Sequence, residues 1–261
     1  MKIAIITPYY KESTYVLKRC HDSIVNQTHT DITHIMLSDG FPNDEIDTWE
    51  KVMHIRLPHT GDYGDTPRAV GGILASSHNF DALLLLDADN WFEPTHVEIM
   101  KNIHEKYKME IVTCSRTLRR LDESVMGLDK ESDGKAFNDT NCFFLSRKMF
   151  HLMNSWAYKN PKEGIVGDRY FWNAVVASGE ARAHCPTPTV NYVTTFAYHY
   201  LVNNEVPPDH AKIISKIGDQ EHNTMHNYNA LNKAIEELKT KGKVKYRDMN
   251  LVAENGNIKI K

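Results

Sequence analysis

The sequence predicts an α/β protein with a mainly parallel central sheet and helices on both of its faces. Three observations carry this. Short β-rich apolar runs alternate with segments of helical period over roughly the first 115 residues. The run Ala82–Leu86 is apolar at every position, as a strand covered on both faces must be. Each run also stops at a residue that ends strands: Pro8, Asp39-Gly40, Pro58 or Asp87.

Taken in order, Lys2–Thr7 is a strand closed by Pro8, and Ser13 caps a helix whose apolar face is Val16, Leu17, Cys20 and Ile24. His34–Ser38 and Val52–Leu57 are the next strands, and Arg68–Ser77 is a helix weakened by Gly71-Gly72. After the Ala82–Leu86 strand, Thr95 and Glu98 stand three apart as a capping box, opening a helix with Val97, Met100, Ile103 and Tyr107 on one face. Glu110–Cys114 is a strand, and Thr117–Asp139 dissolves into charges and reads as a long loop. Cys142–Leu145 and Thr189–Val193 are further strands, with helices over Lys148–Trp156 and Asp168–Ser178. Beyond Pro207-Pro208 a polar tail holds one helix near 227–239 and a hairpin about Asn255-Gly256. No internal repeat is present.

Of the 261 residues, 41% are hydrophobic and 25% charged, the proportions of an ordinary globular chain. A net charge of −3 argues against a nucleic-acid binder and gives no electrostatic reason to sit on an anionic membrane. Cys20, Cys114, Cys142 and Cys185 are scattered with no CxxC pair, so reduced thiols and a cytoplasmic location are expected. The apolar run after Met1-Lys2 is too short for a signal peptide or a membrane span, and no later segment approaches a transmembrane helix.

The strongest chemical signal is Asp87-Ala88-Asp89, two carboxylates one residue apart where the apolar strand ends. In an extended chain both would point to one side, and two like charges held together need a cation or a proton. A divalent ion, Mg²⁺ or Mn²⁺, satisfies that need and binds the phosphates of a nucleotide diphosphate as well. In parallel sheets ligands sit at the carboxyl ends of strands, so Pro8, Asp39 and Asp87 should converge on one crevice.

In order and in kind, these motifs resemble those of the family 2 glycosyltransferases. The strand leading to Thr7-Pro8-Tyr9-Tyr10, the helix with Ser23-Ile24 and Gln27-Thr28, Ser38-Asp39-Gly40, the DxD at Asp87–Asp89 and the following Trp91-Phe92-Glu93-Pro94 carry the likeness over residues 1 to about 200. The resemblance implies a GT-A fold, a single Rossmann-like nucleotide-binding domain. It implies a nucleotide-sugar-binding half over 1–115, an acceptor-binding half over 116–205 and an extension over 206–261. It implies donor contacts from Thr7, Pro8, Tyr9, Asp39, Arg68 and Asp87, with uridine as the expected base. Arg68 stands about one residue from the family's usual arginine position. The neighbouring loop Gly61–Asp65 is acidic, and one of its aspartates is expected to contact ribose or sugar hydroxyls.

By the same likeness Asp168, in Gly167-Asp168-Arg169-Tyr170, is the general base of an inverting transfer, with an N-cap as its plainer alternative. His199 is a candidate third metal ligand beside Asp87 and Asp89, and such mixed ligation suits manganese. Arg116, Arg119 and Arg120 read either as a solvated face or as phosphate binders, and Asp139-Thr140-Asn141 as part of the acceptor side. The partners expected are a UDP-sugar and a saccharide or glycoconjugate acceptor, with the tail a place where the chain could form a homo-oligomer. Two rivals stand. A sugar nucleotidyltransferase should carry a glycine-rich loop after the first strand, where Pro8-Tyr9-Tyr10-Lys11 is found. A non-catalytic nucleotide-sugar-binding module has no need of Asp168.

Overall fold

The computed structural model describes residues 1–159, 166–212, 243–246, 249–254 and 257–260. The first half alternates strand and helix: β1 (Ile3–Tyr9), α1 (Thr14–Val25), β2 (Ile32–Asp39), β3 (Val52–Leu57), α2 (Asp65–Ser77), β4 (Ala82–Leu85), β5 (Trp91–Phe92) and α3 (His96–Tyr107). The second half adds β6 (Ile111–Arg119), β7 (Val125–Leu128), β8 (Phe143–Ser146), α4 (Ser155–Tyr158), α5 (Gly167–Ala177), β9 (Arg182–Val193) and α6 (Ala197–Val202). The main sheet runs β3-β2-β1-β4-β8-β6-β9-β5, with β7 on β6. Its first four strands are parallel, whereas β8 runs antiparallel to both β4 and β6, and β5 antiparallel to β9.

Strand periodicity divides the core. On β1, Ala4 and Ile6 join one apolar cluster with α2, α4 and α5, while Ile3 and Ile5 join another with α1 and α3. Leu83 and Leu85 of β4 follow the first, and Ala82 and Leu84 the second. An apolar run that looks featureless in sequence is thus a strand buried on both faces.

Several expectations need correction. β1 passes through Pro8 to Tyr9, with Pro8 opposite Leu37 of β2. Ile6 accepts from the Leu86 N–H, so by alternation Pro8 faces the side on which β4 has already ended, and its missing N–H removes no ladder bond. The glycines of α2 serve close approach: a Cβ on Gly71 would lie 2.5 Å from Ile6 Cγ2, and one on Gly72 2.4 Å from Met153 Cβ. The Thr95 side chain makes no capping bond. Its place is taken by Gln27, whose Oε1 accepts from the Val97 N–H at 2.9 Å, while Glu98 accepts from Thr28 Oγ1. The region 117–139 is no simple loop, since β6 continues to Arg119 and β7 follows. Lys148–Trp156 is mostly a 3-10 helix, Arg147–Asn154.

The chain divides into two compact units, one of Met1–Thr117, Leu128–Pro161 and Ile165–Tyr192, the other of Leu118–Gly127, Lys162–Gly164 and Val193–Lys261. In the second, β10 (Lys243–Tyr246), β11 (Met249–Glu254) and β12 (Asn257–Ile260) form a separate antiparallel sheet, with Glu254 opposite Asn257. Asn255-Gly256 and the helix expected near 227–239 lie outside the described residues. Among the described residues no helix is long and apolar enough to cross a membrane.

Candidate active site

Three of the expected residues stand at or just after the carboxyl ends of parallel strands in the first unit: Tyr9 on β1, Asp39 on β2 and Asp87 after β4. Asp39 is buried and fully engaged. Its carboxylate accepts from Thr60 N at 2.5 Å, Thr60 Oγ1 at 3.1 Å and Gly61 N at 3.2 Å, with His59 Nδ1 at 3.3 Å. Gly40 is left-handed at φ 83°, and a Cβ there would sit 2.4 Å from His59 Cβ, so glycine lets that loop close over Asp39.

Thr7 and Tyr9 are turned inward. Thr7 is fully buried, its hydroxyl 2.9 Å from His34 Nε2, and His34 Nδ1 is 3.0 Å from His21 Nδ1. Tyr9 Oη is 2.6 Å from His54 Nε2, and His54 Nδ1 is 2.7 Å from Asp47. The exposed aromatic surface here comes instead from residues that sequence reasoning passed over. Tyr10 stacks on His59 at 5.0 Å and meets Phe41 edge-on at 4.8 Å, with Lys11 Nζ 4.2 Å above Phe41. Phe41 directly after Asp39-Gly40 was the available signal.

The DxD segment is a turn, closed by Asn90 N donating to Asp87 O at 3.0 Å, so strand alternation does not set the direction of its carboxylates. They are treated unequally. Asp89 is exposed, its carbonyl held by Arg19 Nη2 at 2.5 Å. Asp87 is half-buried, its Oδ1 bonded by Arg68 Nη2 and its Oδ2 accepting from Asn141 Nδ2 at 3.0 Å. Arg68 is buried, 4.9 Å from the Trp156 ring, and also donates to Tyr63 O at 3.0 Å. Among the described residues, Arg68 Nε and the Trp156 indole N–H are buried donors without an acceptor, which suits a site for an anion. Neither loop aspartate reaches outward: Asp62 accepts from Thr66 and Thr60, and Asp65 is buried against Lys159. Burial pushes Asp62 up, but its hydrogen bonds outweigh this and hold it below the usual range.

Asn141 links this carboxylate to the antiparallel half. Its Oδ1 accepts from Asp87 N at 2.5 Å, and its Nδ2 donates to Asp139 Oδ1 at 2.7 Å. Asp139 in turn meets Arg116 Nη1 at 2.5 Å, and Arg116 Nε donates to Asp129 at 2.6 Å. Arg116 therefore belongs to neither expectation: it is a buried structural ion pair, with Tyr192 3.8 Å beneath it. Arg120, in the second unit, pairs with Glu205.

Asp168 lies in the first turn of α5, yet the N-cap position is Val166, so the capping alternative fails. Its carboxylate accepts only the Arg169 N–H at 2.7 Å in the described hydrogen bonds. Burial, followed by the negative charge of Asp139, pushes its pKa up to about 6. Glu163, the acidic residue five positions before Asp168 and the other candidate for the base by sequence, lies outside the described residues. His199 is in the second unit on α6, 7% exposed, its Nδ1 2.6 Å from Thr194 Oγ1. Among the described residues no group of three or more His, Cys, Asp or Glu side chains converges as a metal site. Two carboxylates with substrate phosphates still form an all-oxygen set of the kind Mg²⁺ accepts. The four cysteines are buried free thiols.

Solved structures show the same fold. The crystal structure of S. aureus TarS superposes with a TM-score of 0.58 at 12% identity, covering 93% of this chain and 45% of that one. The chain thus spans under half the length of that TarS chain. TarS 1-349 matches with a TM-score of 0.58 at 10% identity, over 92% of this chain and 73% of that one. Its complex with UDP matches with a TM-score of 0.58 at 11%, over 92% and 72%. No curated protein matches in sequence. The family model of glycosyl transferase family 2 matches residues 4–171, from β1 into α5, which takes in Asp39, Asp87 and Asp168 together. The chain belongs to glycosyl transferase family 2.

Proposed function

We propose that this glycosyltransferase moves a sugar from a UDP-linked donor to a hydroxyl of a saccharide or glycoconjugate, inverting the anomeric centre. The observation that carries the reading is Asp168, a half-buried carboxylate with a proton affinity near neutral, in the same unit as Asp39 and Asp87. The TarS structure with UDP supports uridine as the base of the donor.

In this reading the Asp39 loop and the Tyr10–Phe41–His59 face receive the nucleotide base. Arg68, whose Nε has no acceptor among the described residues, faces the diphosphate, and its bond to Asp87 keeps the guanidinium oriented. The acceptor oxygen attacks the anomeric carbon from the face opposite the diphosphate. Its proton passes to a carboxylate oxygen of Asp168, and the sugar–phosphate C–O bond breaks with its electron pair leaving on the diphosphate. A positioned base of this kind contributes about 10²–10⁴-fold. A divalent metal held by Asp87 and Asp89 would neutralise charge growing on the leaving diphosphate. A cytoplasmic location remains part of the proposal.

Calorimetric titration with UDP, with and without Mn²⁺, followed by an assay of UDP release from UDP-sugars, tests the proposal. Metal-dependent binding and acceptor-dependent release are expected. Absence of UDP binding under both conditions overturns it, and binding with no release across donors and acceptors leaves the binding-module alternative instead.

A further inference from the structure

Asp65 opens α2, yet its carboxylate is turned into the protein at a junction of three helices. The Asp65 side chain is 4% exposed and that of Lys159, just after α4, 1%. Lys159 Nζ stands 2.5 Å from Asp65 Oδ2, and Arg68 Nη1 3.8 Å from Asp65 Oδ1. Gly167, the first residue of α5, packs against the same carboxylate. A Cβ at that position would lie 2.6 Å from Asp65 Oδ1 and 2.6 Å from Trp156 Cζ3. Trp156 of α4 stacks on Phe171 of α5 at 5.2 Å and 17°, and Arg68 lies 4.9 Å from its ring.

A buried ion pair is an inefficient way to hold a core together. Two apolar side chains of similar volume often serve stability as well or better, because neither must be stripped of water. What the pair supplies is a fixed distance between two chain positions. Here those positions are the start of α2, one turn before Arg68, and the end of α4, whose Trp156 lies against both Gly167 and Phe171 of α5. Asp168 is the residue after Gly167.

We propose that Asp65 and Lys159 are positioning residues. Their ion pair braces the amino terminus of α5 against α2 and thereby sets the proton acceptor Asp168 at its working distance from the diphosphate-facing Arg68. Neither touches substrate. The proposal rests on the reading of Asp168 as the base.

The test is the double variant Asp65→Leu/Lys159→Met, which removes both charges together and leaves Arg68 its bond to Asp87. Melting temperature, UDP affinity, kcat, KM for the acceptor and amide hydrogen exchange over residues 167–171 are measured. A fold-preserving variant with UDP affinity and KM within threefold of wild type, kcat lowered 10- to 100-fold and exchange at 167–171 at least tenfold faster is expected. A purely structural pair would move the melting temperature and leave kcat per folded molecule alone. Unchanged kcat, or unchanged exchange at the start of α5, overturns the proposal. Asp168→Asn is assayed alongside. Turnover retained there but lost in the double variant would fault the base assignment and leave the brace standing. If the double variant does not fold, Gly167→Ala is read by the same criteria, since its methyl would press α5 away from Asp65 and Trp156.

Discussion

The parallel and antiparallel halves of the main sheet handle carboxylates in opposite ways. In the parallel half, Asp39 takes three hydrogen bonds from the Thr60–Gly61 loop, and Asp87 is clamped by Arg68 and Asn141. On α5, Asp168 has one bond among the described residues, from its own neighbour's N–H, and a pKa raised to about 6 by burial and by Asp139. A carboxylate already bonded within the protein keeps its direction, which suits holding a ligand. One that the protein leaves desolvated will accept a proton, which suits chemistry.

The sharpest way to break this contrast is Asp168→Asn. Transfer should fall about 10²–10⁴-fold while UDP affinity holds, and turnover near wild type would end the distinction. The same variant has a stability signature of fixed sign. A folded pKa of about 6, above the unfolded value, means that Asp168's contribution to stability is full below pH 4 and is lost as pH rises through 6. Asp168→Asn should therefore be more stable than wild type at pH 8, by on the order of 1–3 kcal/mol, and equal to it near pH 4. Equal melting temperatures at pH 8 would mean that the carboxylate is not desolvated. In wild type, kcat/KM should rise with pH through about 6 as the base ionises.

Next in size are the two aspartates of the DxD turn, which should separate. Asp89→Ala removes an exposed carboxylate and should abolish the metal dependence of UDP binding with little change in melting temperature. Asp87→Ala removes the partner of a buried arginine and should cost about 2 kcal/mol of stability in addition. Identical melting curves would show that the Arg68 clamp carries no weight.

The halves should also differ in sign with acid. His21 and His34, packed beneath Thr7, are held neutral. Burial lowers His21 to about 4, and burial followed by His21 lowers His34 well below its usual value. Besides each other, the charges facing His21 are Lys18 and Asp22. Their contribution is complete above pH 6.5 and declines as pH falls toward 4, each histidine adding a slope of up to about 1.4 kcal/mol per pH unit. His21→Phe, which keeps the tilted ring contact with Trp49, should make the decline between pH 6.5 and 4 shallower in urea titrations. An unaltered decline would place the acid sensitivity elsewhere.

The parallel half was the more legible because its physics is local. Continuous apolar runs, a proline or acid at each strand end and a helical period between them are readable residue by residue, and Val52–Leu57 matches β3 end to end. The antiparallel half depends on partners far away in sequence. Arg116 reads in sequence as a solvated face or a phosphate binder because its compensating charges, Asp129 and Asp139, are 13 and 23 residues on, and only the fold brings them to its guanidinium. The candidate site divides in the same way. Asp39, Asp87 and Asp168 were visible as motifs, whereas the inward turn of Thr7 and Tyr9, and the outward face of Tyr10, Phe41 and His59, follow from which strand edge lies open.

The smallest predicted effect concerns how the end of α1 and the start of α3 are stapled together. The pair Thr95 and Glu98 has the spacing of a capping box, yet Glu98 bonds Thr28 and Thr95 caps nothing. The start of α3 is satisfied from α1 instead. Gln27 accepts from Val97 N and donates to Ser23 O and Glu93 O, while Thr28 N donates to Pro94 O. A capping box is local and could survive alone, but the Gln27 arrangement exists only when α1 and α3 are docked, so it reports on tertiary structure. Gln27→Leu fills the same volume and leaves the Val97 N–H buried without an acceptor, a loss of about 1–2 kcal/mol. Thr95→Ala should stay within about 0.5 kcal/mol of wild type, the range of surface changes that touch no special feature. Urea unfolding of both variants gives the ordering, and a Thr95→Ala cost equal to or above that of Gln27→Leu would return the capping role to the threonine.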